Sequence, residues 1–284
     1  DLVQMSDLDA VAARSDLVNA EAPEPGSLSH NVDVIFCQSD IALSALVKTS
    51  SRWDIGVISS SVTERWLERC EALGMRKKIR FVDNEFKEYD HDVHVAAVKE
   101  LNPKYATVRD VMTRPQCEEA GIDFYPLEQI LEMAAEVQEH AERVMLIPKY
   151  DCLDDIPEEF MLGYSVPSSY GGTPMPLEAF KGRDTHLLGG SWKLQRNALA
   201  VLGKDVVSLD NNNIMTIAKY GVSTTATGGQ TYVNDTFKDE FQLSKRVYTL
   251  PLLYSLSAIL SELHNIGVGV NGYAHEDNSD DEPD

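Results

Sequence analysis

Eight short apolar runs spread over residues 32–215 constrain this chain more than any other feature. They are Val32–Cys37, Trp53–Ser59, Ile79–Asp83, Tyr105–Asp110, Arg143–Lys149, Met161–Val166, Thr185–Gly190 and Val206–Asp210, and most end in polar or glycine-rich residues. Runs of this length, separated by segments of helical periodicity, read as buried parallel strands. Eight such strands with helices between them close into a (β/α)8, TIM-like barrel, a fold of about 250 residues whose chemistry sits at the C-terminal strand ends. With 284 residues, one such domain is the economical reading.

The intervening segments agree. Val62–Leu73 and Asp92–Leu101 repeat apolar residues at helical spacing, and Pro103 stops the second. Pro126–Ala141 opens on a proline, and Ser191–Leu202 opens on a capping serine and stops before Gly203. Leu250–Leu263 is the natural closing helix. Between strand eight and that helix lies an insertion, Ile217–Glu240, rich in Thr, Gly and Tyr; its position after a barrel strand predicts a lid or substrate-binding loop. Residues 1–31 read as an acidic extension with a short helix, Asp7–Asn19; residues 32–274 form the barrel; residues 275–284, with six carboxylates, read as a disordered tail. An open doubly wound sheet is the alternative, but no GxGxxG follows the first strand.

Charge bears on partners. Lys and Arg number 25 against 46 Asp and Glu, for a net charge of −21. A nucleic-acid binder usually carries a basic stripe. This balance fits either an ordinary acidic protein or one from a high-salt cytoplasm, where a Debye length of about 3 Å at molar salt screens repulsion of phosphate. No apolar run reaches the length of a membrane span and no secretory signal is evident, so a cytoplasmic location, without membrane contact, is expected. Cys37, Cys70, Cys117 and Cys152 are far apart, and the seven histidines show no metal-ligand spacing, so neither a metal site nor a cofactor is expected. His91 and His94 read as a solvated helix start, and His186 as a structural residue within strand seven.

Two strand ends carry an Asp followed by an Asn: Asp83-Asn84 and Asp210-Asn211. In a barrel both carboxylates face the mouth, where one can attack carbon while the other moves a proton; in isolation each is equally a turn residue. Asn211 and its neighbours offer amide donors and acceptors to a pocket. Gly189-Gly190-Ser191 ends strand seven and opens a helix, which suits either an anion grip or a tight turn. Gly163, Tyr164 and Ser165 end strand six; Gly163 lets a flat ring approach the backbone, and Tyr164 and Tyr170 either stack on a base or pack in the core. Asp110 ends strand four beside Arg109, and Lys149 ends strand five as a possible phosphate contact.

At these residues the chain resembles the queuine/archaeosine tRNA-ribosyltransferase superfamily. The segments are Phe81-Val82-Asp83-Asn84, Leu162 to Pro167, His186 to Ser191 and Ser208-Leu209-Asp210. The resemblance runs over Val32–Met215 and is nearest the virus-encoded DNA 7-deazaguanine transglycosylases and their haloarchaeal relatives. It implies a barrel enzyme exchanging guanine in DNA, or in RNA, for a 7-deazaguanine base such as 7-cyano-7-deazaguanine. It implies Asp210 as the nucleophile, Asp83 in proton transfer and base contact, Asp110 at the base edge and Gly163 at the base through its backbone. The tRNA members carry a zinc site of clustered Cys and His that this sequence lacks, and Pro148-Lys149 stand where those members place a Gln. A base-excising glycosylase, a noncatalytic nucleic-acid or partner-binding barrel and a small-molecule enzyme with Gly189–Ser191 as phosphate grip are the rival readings.

Overall fold

The computed structural model describes residues 17, 20–37, 53–168, 171–233 and 249–271. Eight parallel strands follow one another around a closed barrel: β1 (His30–Cys37), β2 (Asp54–Ile58), β3 (Ile79–Asp83), β4 (Tyr105–Thr107), β5 (Arg143–Leu146), β6 (Met161–Ser165), β7 (Thr185–Leu188) and β8 (Val206–Asp210). Each pairs with the next, and β8 returns to β1 through Asp33↔Ser208 and Ile35↔Asp210. The expected (β/α)8 barrel is therefore the observed fold, and β3 and β8 have the bounds read from the sequence.

Among the described residues the α-helices are α1 (Glu64–Ala72), α2 (His91–Leu101), α3 (Arg114–Ala120), α4 (Leu127–Gln138), α5 (Trp192–Leu202), α6 (Asn213–Ala218) and α7 (Thr249–Asn265). Side chains start most of them. Thr63 accepts from the Trp66 N–H, Asp90 from the Val93 N–H and Ser191 from the Leu194 N–H. Asn102 ends α2 in the left-handed region at φ 44°, and Pro103 follows it. Sequence reading missed α3, although Thr113 and Gln116 form a reciprocal capping box with Pro115 in its first turn.

Packing divides into two shells. A small inner cluster of Ile35, Phe81, Tyr105, Met145 and Met161 fills the barrel axis. Alternate strand residues, such as Val34, Val82, Leu162, Tyr164 and Leu209, face outward into the larger core against the helices.

Strands four and five end earlier than expected, at Thr107 and Leu146. Pro148 lacks the N–H that would continue the ladder. The two chains meet once more beyond the rim, where the Val111 N–H bonds Ile147 O at 2.9 Å and the Lys149 N–H bonds Val111 O at 2.8 Å. This second meeting carries Asp110 and Lys149 above the barrel.

Two further features were not foreseen. The described part of the insertion is a hairpin, β9 (Val222–Thr224) with β10 (Gln230–Tyr232), fixed to α7 by the Thr224 N–H on Ser255 Oγ and to α5 by the Trp192 indole on Ala226 O. It thus packs on the helical layer; residues 234–248 lie outside the described residues. A ninth strand, β11 (Val268–Asn271), pairs in parallel with the first half of β1. Gly267 turns the chain into it at φ 89°, where a Cβ would stand 1.9 Å from Leu28 O, so only glycine fits. Of the expected helix Asp7–Asn19 only Leu17 is described, and residues 275–284 lie outside the described residues. No helix of the described residues is long and apolar enough to cross a membrane.

Candidate active site

Parallel strands point all their C-terminal ends to one face, so Asp83 and Asp210 share the mouth. One layer below, the rings of Phe81 and His186 lie with centroids 5.3 Å apart, which ties β3 to β7 across the axis. Asp83 stands two residues above Phe81. Asp210 stands two residues above Ser208, which is itself bonded to His186.

Asp210 is held on one oxygen. Its Oδ1 accepts from the Gly189 N–H at 2.9 Å and lies 3.1 Å from His186 Nε2. Among the described residues Oδ2 has no hydrogen bond. The other imidazole nitrogen, Nδ1, lies 2.7 Å from Ser208 Oγ. His186 is fully buried. It is structural, as expected, but it is also a direct partner of the candidate nucleophile, which sequence reading missed. The alternation of strand seven carries the missing signal, because His186 shares the inward phase with Leu188.

Asp83 has a different environment. Its Oδ1 accepts from the Asn84 N–H at 2.9 Å and from Thr107 Oγ1 at 3.1 Å. Burial raises its pKa to about 7, helped by the nearby charges of Asp210 and Asp110 and opposed by those two hydrogen bonds. The mouth thus contains one carboxyl poised to exchange a proton near neutral pH beside a second, oriented carboxylate. Such a split between two acids serves bond cleavage with proton transfer.

The remaining predicted residues divide. Asp110 is buried at the rim, where Lys149 Nζ lies 3.5 Å from its Oδ2. Lys149 therefore neutralises a carboxylate, whereas a free phosphate contact was expected. Asn84 donates its amide to Val108 O at 2.6 Å and to Thr107 Oγ1 at 3.2 Å, which fixes the loop after β3. Ser165 reaches the mouth at the end of β6, and its N–H bonds Thr173 Oγ1.

Two readings are corrected, at Gly163 and Asn211, and two open ones are resolved. Tyr164 is fully buried among outward-facing residues and packs edge-on against Phe180 at 5.1 Å, so it belongs to the core and has no base to stack on. At Gly163 a Cβ would meet Leu188 Cδ1 at 2.6 Å and Ile147 Cγ1 at 2.8 Å; its smallness admits those side chains, leaving no open face for a ring. Asn211 is buried, donates to Gln195 Oε1 and accepts from the Ile214 N–H, so it braces α6 and lines no pocket. Gly189, Gly190 and Ser191 form the tight turn. The two glycines have φ of 58° and 75°, the Gly189 N–H serves Asp210, and the Ser191 hydroxyl caps α5. Tyr170 lies outside the described residues.

The reading of one histidine also changes. His94 is fully buried with Nε2 2.8 Å from Thr107 O, and burial lowers its pKa to about 4, so it is no solvated helix start. Arg109 is buried as well. Its guanidinium donates to Phe86 O and Asp123 O and lies 5.6 Å from the Tyr89 ring centre, so it braces the loop after β3 that carries Asp83. Among the described residues no group of three or more His, Cys, Asp or Glu is arranged to hold a metal ion.

A family model described as "Family of unknown function (DUF6610)" matches residues 53–249. The chain belongs to this family. The match covers β2 through β8, and so includes both carboxylates and the turn that holds Asp210. No curated protein matches the chain. Among solved structures, the DUF6610 barrel is similar to the YdjI aldolase from Escherichia coli K12, at 12% identity and TM-score 0.50 over 90% of this chain and 95% of that one. A putative fructose-1,6-biphosphate aldolase from Coccidioides immitis aligns at 11% identity and TM-score 0.48 over 93% of this chain and 96% of that one. At 12% identity the likeness to the YdjI aldolase shows the barrel fold alone, and chemistry must be argued from the site.

Proposed function

We propose that this DUF6610 protein is an enzyme that cleaves an N-glycosidic bond in a nucleic acid and exchanges guanine for a 7-deazaguanine base, with DNA as the polymer. The observation that carries this reading is the pairing at one mouth of Asp210, oriented through Oδ1, with Asp83, whose carboxyl titrates at about 7. The aldolase likeness contributes the fold alone.

In the first step Asp210 Oδ2 attacks C1′ of the target nucleoside. The C1′–O bond forms, the C1′–N9 bond breaks, and its electron pair leaves with the base. Protonated Asp83 supplies the proton that the departing base needs. In the second step the incoming base gives a proton to Asp83, its nitrogen attacks C1′, and Asp210 leaves as a carboxylate. Two displacements at one carbon retain the sugar configuration. The target base must leave the stack to reach a mouth this deep. Asp110, held by Lys149, is the rim acceptor available to the edge of a guanine-like base.

The test is transfer of labelled guanine and of 7-cyano-7-deazaguanine into duplex DNA, single-stranded DNA and tRNA at molar KCl, with Asp210→Asn as control. Incorporation that disappears in the variant supports the reading and names the polymer. Abasic sites without incorporation replace it with base excision. No incorporation and no released base in any polymer overturns it.

A further inference from the structure

A cavity of about 380 Å³ lies between the β9–β10 hairpin and the N-terminal half of α7, and the proposed reaction uses none of it. Ser223, Thr225, Thr231, Tyr232, Tyr254 and Ala258 line it. Ser223 and Thr231 face each other across the hairpin, and Tyr254 and Ala258 stand one turn apart on one face of α7. The volume is at the small end of ligand pockets, which run about 300–1,000 Å³, and suits one planar ring with its sugar.

The hairpin sits beside the barrel mouth. The Trp192 indole donates to Ala226 O at 2.6 Å, and a Cβ on Gly228 would stand 2.5 Å from Lys193 Cα. The hairpin turn therefore lies on the start of α5, directly after the Gly189–Ser191 turn that holds Asp210.

The lining points to an occupant. Ser223 is buried, and among the described residues its Oγ has no hydrogen-bond partner. A buried hydroxyl in that state destabilises the fold, and a polar ligand atom in the cavity relieves it. Tyr232 and Tyr254 are 42% and 57% exposed, so both rings are open to stacking. Charge narrows the class. Asp and Glu make up 46 of the 284 residues, yet none occurs in residues 211–234 or 249–261, which supply the whole wall. Lys193 and Lys219, both exposed, flank the hairpin. An uncharged ring that carries a phosphate outside the cavity meets no carboxylate there.

We infer that this cavity takes one unpaired base of the substrate strand, a neighbour of the nucleotide that enters the mouth, stacked against Tyr232 and Tyr254 and hydrogen-bonded to Ser223 Oγ. The inference rests on the reading of the chain as an enzyme acting on a nucleic acid. Phosphate contacts from Lys and Arg carry most nucleic-acid affinity. A net charge of −21, with Lys149 committed to Asp110, offers little of that. Base stacking on aromatic rings needs no counter-charge.

The experiment titrates a fluorescently labelled oligothymidylate into the full chain at molar KCl, where repulsion by the acidic surface is screened. Tyr254→Ala should weaken binding about tenfold, and Tyr254→Phe should restore it. Ser223→Ala should weaken binding about threefold without lowering Tm, because it removes a hydroxyl the fold does not use. A deoxyribose-phosphate oligomer without bases should not compete. Equal affinity in wild type and both alanine variants overturns the inference, as does full competition by the base-free oligomer. A fall in Tm for Ser223→Ala assigns the hydroxyl to the fold and also overturns it. Binding of guanosine without binding of the oligomer gives the cavity to a free nucleoside and overturns the strand as occupant. Base exchange with oligomer affinity indifferent to Tyr254 overturns this inference alone. Tyr254-dependent binding without exchange in any polymer overturns the proposed reaction and leaves the cavity assignment standing.

Discussion

The Gly189 N–H lies 2.9 Å from Asp210 Oδ1, so the turn after β7 holds the carboxylate that ends β8. The bond explains why a diglycine closes strand seven. Two successive residues at positive φ direct the peptide N–H into the barrel mouth, and L side chains there would be strained. Every consequence of the proposed reaction passes through the orientation this bond imposes.

Asp210→Asn keeps the shape but replaces a nucleophile with an amide. Base exchange should fall by at least about a thousandfold, the scale on which removal of a covalent nucleophile acts. Affinity for the polymer should change by less than about threefold, because the rim groups remain. Exchange kinetics and a binding titration on the same preparation check both halves. Turnover within tenfold of wild type rules out Asp210 as the nucleophile.

Asp83 makes the pH dependence specific. Its pKa is raised from 3.8 to about 7, so between those values the folded chain holds a proton that the unfolded chain has released. Stability is therefore greatest below about pH 4 as far as this group is concerned. It falls as pH rises toward and through 7. The carboxyl is only half-buried by its accessible surface, so water moderates the cost of charging it, and a loss of about 1–2 kcal/mol is expected. Asp83→Asn should flatten this slope in denaturant titrations at pH 5 and 8. In the wild type, release of the base should decline above pH 7, where the proton donor is lost.

The two glycines of the turn separate strain from obstruction. At Gly189 an added Cβ meets nothing within 4 Å, so Gly189→Ala suffers only the backbone cost of φ 58°, about 1 kcal/mol. At Gly190 the Cβ would stand 2.5 Å from Val166 Cγ1, with φ at 75° as well. Gly190→Ala must push β6 away or move the turn, for about 2–4 kcal/mol. Thermal denaturation of the two variants should show a clearly larger loss at position 190, accompanied by weaker exchange because the N–H of residue 189 moves off Asp210.

The sequence disclosed the barrel because eight apolar runs leave few alternatives, and it disclosed Asp83 and Asp210 because each closes a run whose end is sharp. Facing direction was less legible. Gly163 and Tyr164 are neighbours, and a phase shift of one residue decides which of them looks inward; the chain resolved this by sending the larger ring outward against Phe180. His186 read as structural because a lone histidine in a strand says nothing about its partners, and Ser208 and Asp210 lie more than twenty residues away. His94 was misread because its acceptor, Thr107 O, is a backbone atom that no side-chain pattern reports. The pairing of Asp110 with Lys149 was hidden by the break at Pro148, after which β4 and β5 rejoin above the rim.

Gln195 is the last test of how the site is held. From the first half of α5 it donates to Asp210 O at 2.5 Å and to Gly189 O at 2.9 Å, and its own oxygen accepts from the Asn211 amide at 2.9 Å. One buried amide thus joins the end of β8 to the turn after β7, the two segments that must stay in register for the Gly189 N–H to meet Asp210. Gln195→Leu keeps most of the volume but leaves two carbonyls and one amide unpaired in the interior. At about 1–3 kcal/mol for each buried group left without a partner, partly relieved by relaxation, the variant should lose about 3 kcal/mol. Gln195→Glu separates packing from hydrogen bonding, because it retains the shape but brings acceptor oxygens against two carbonyls. Both variants should lower exchange through kcat with little change in KM, since no rim contact is touched. A change confined to KM would mean that Gln195 contacts substrate, and the bracing role assigned to it would be wrong.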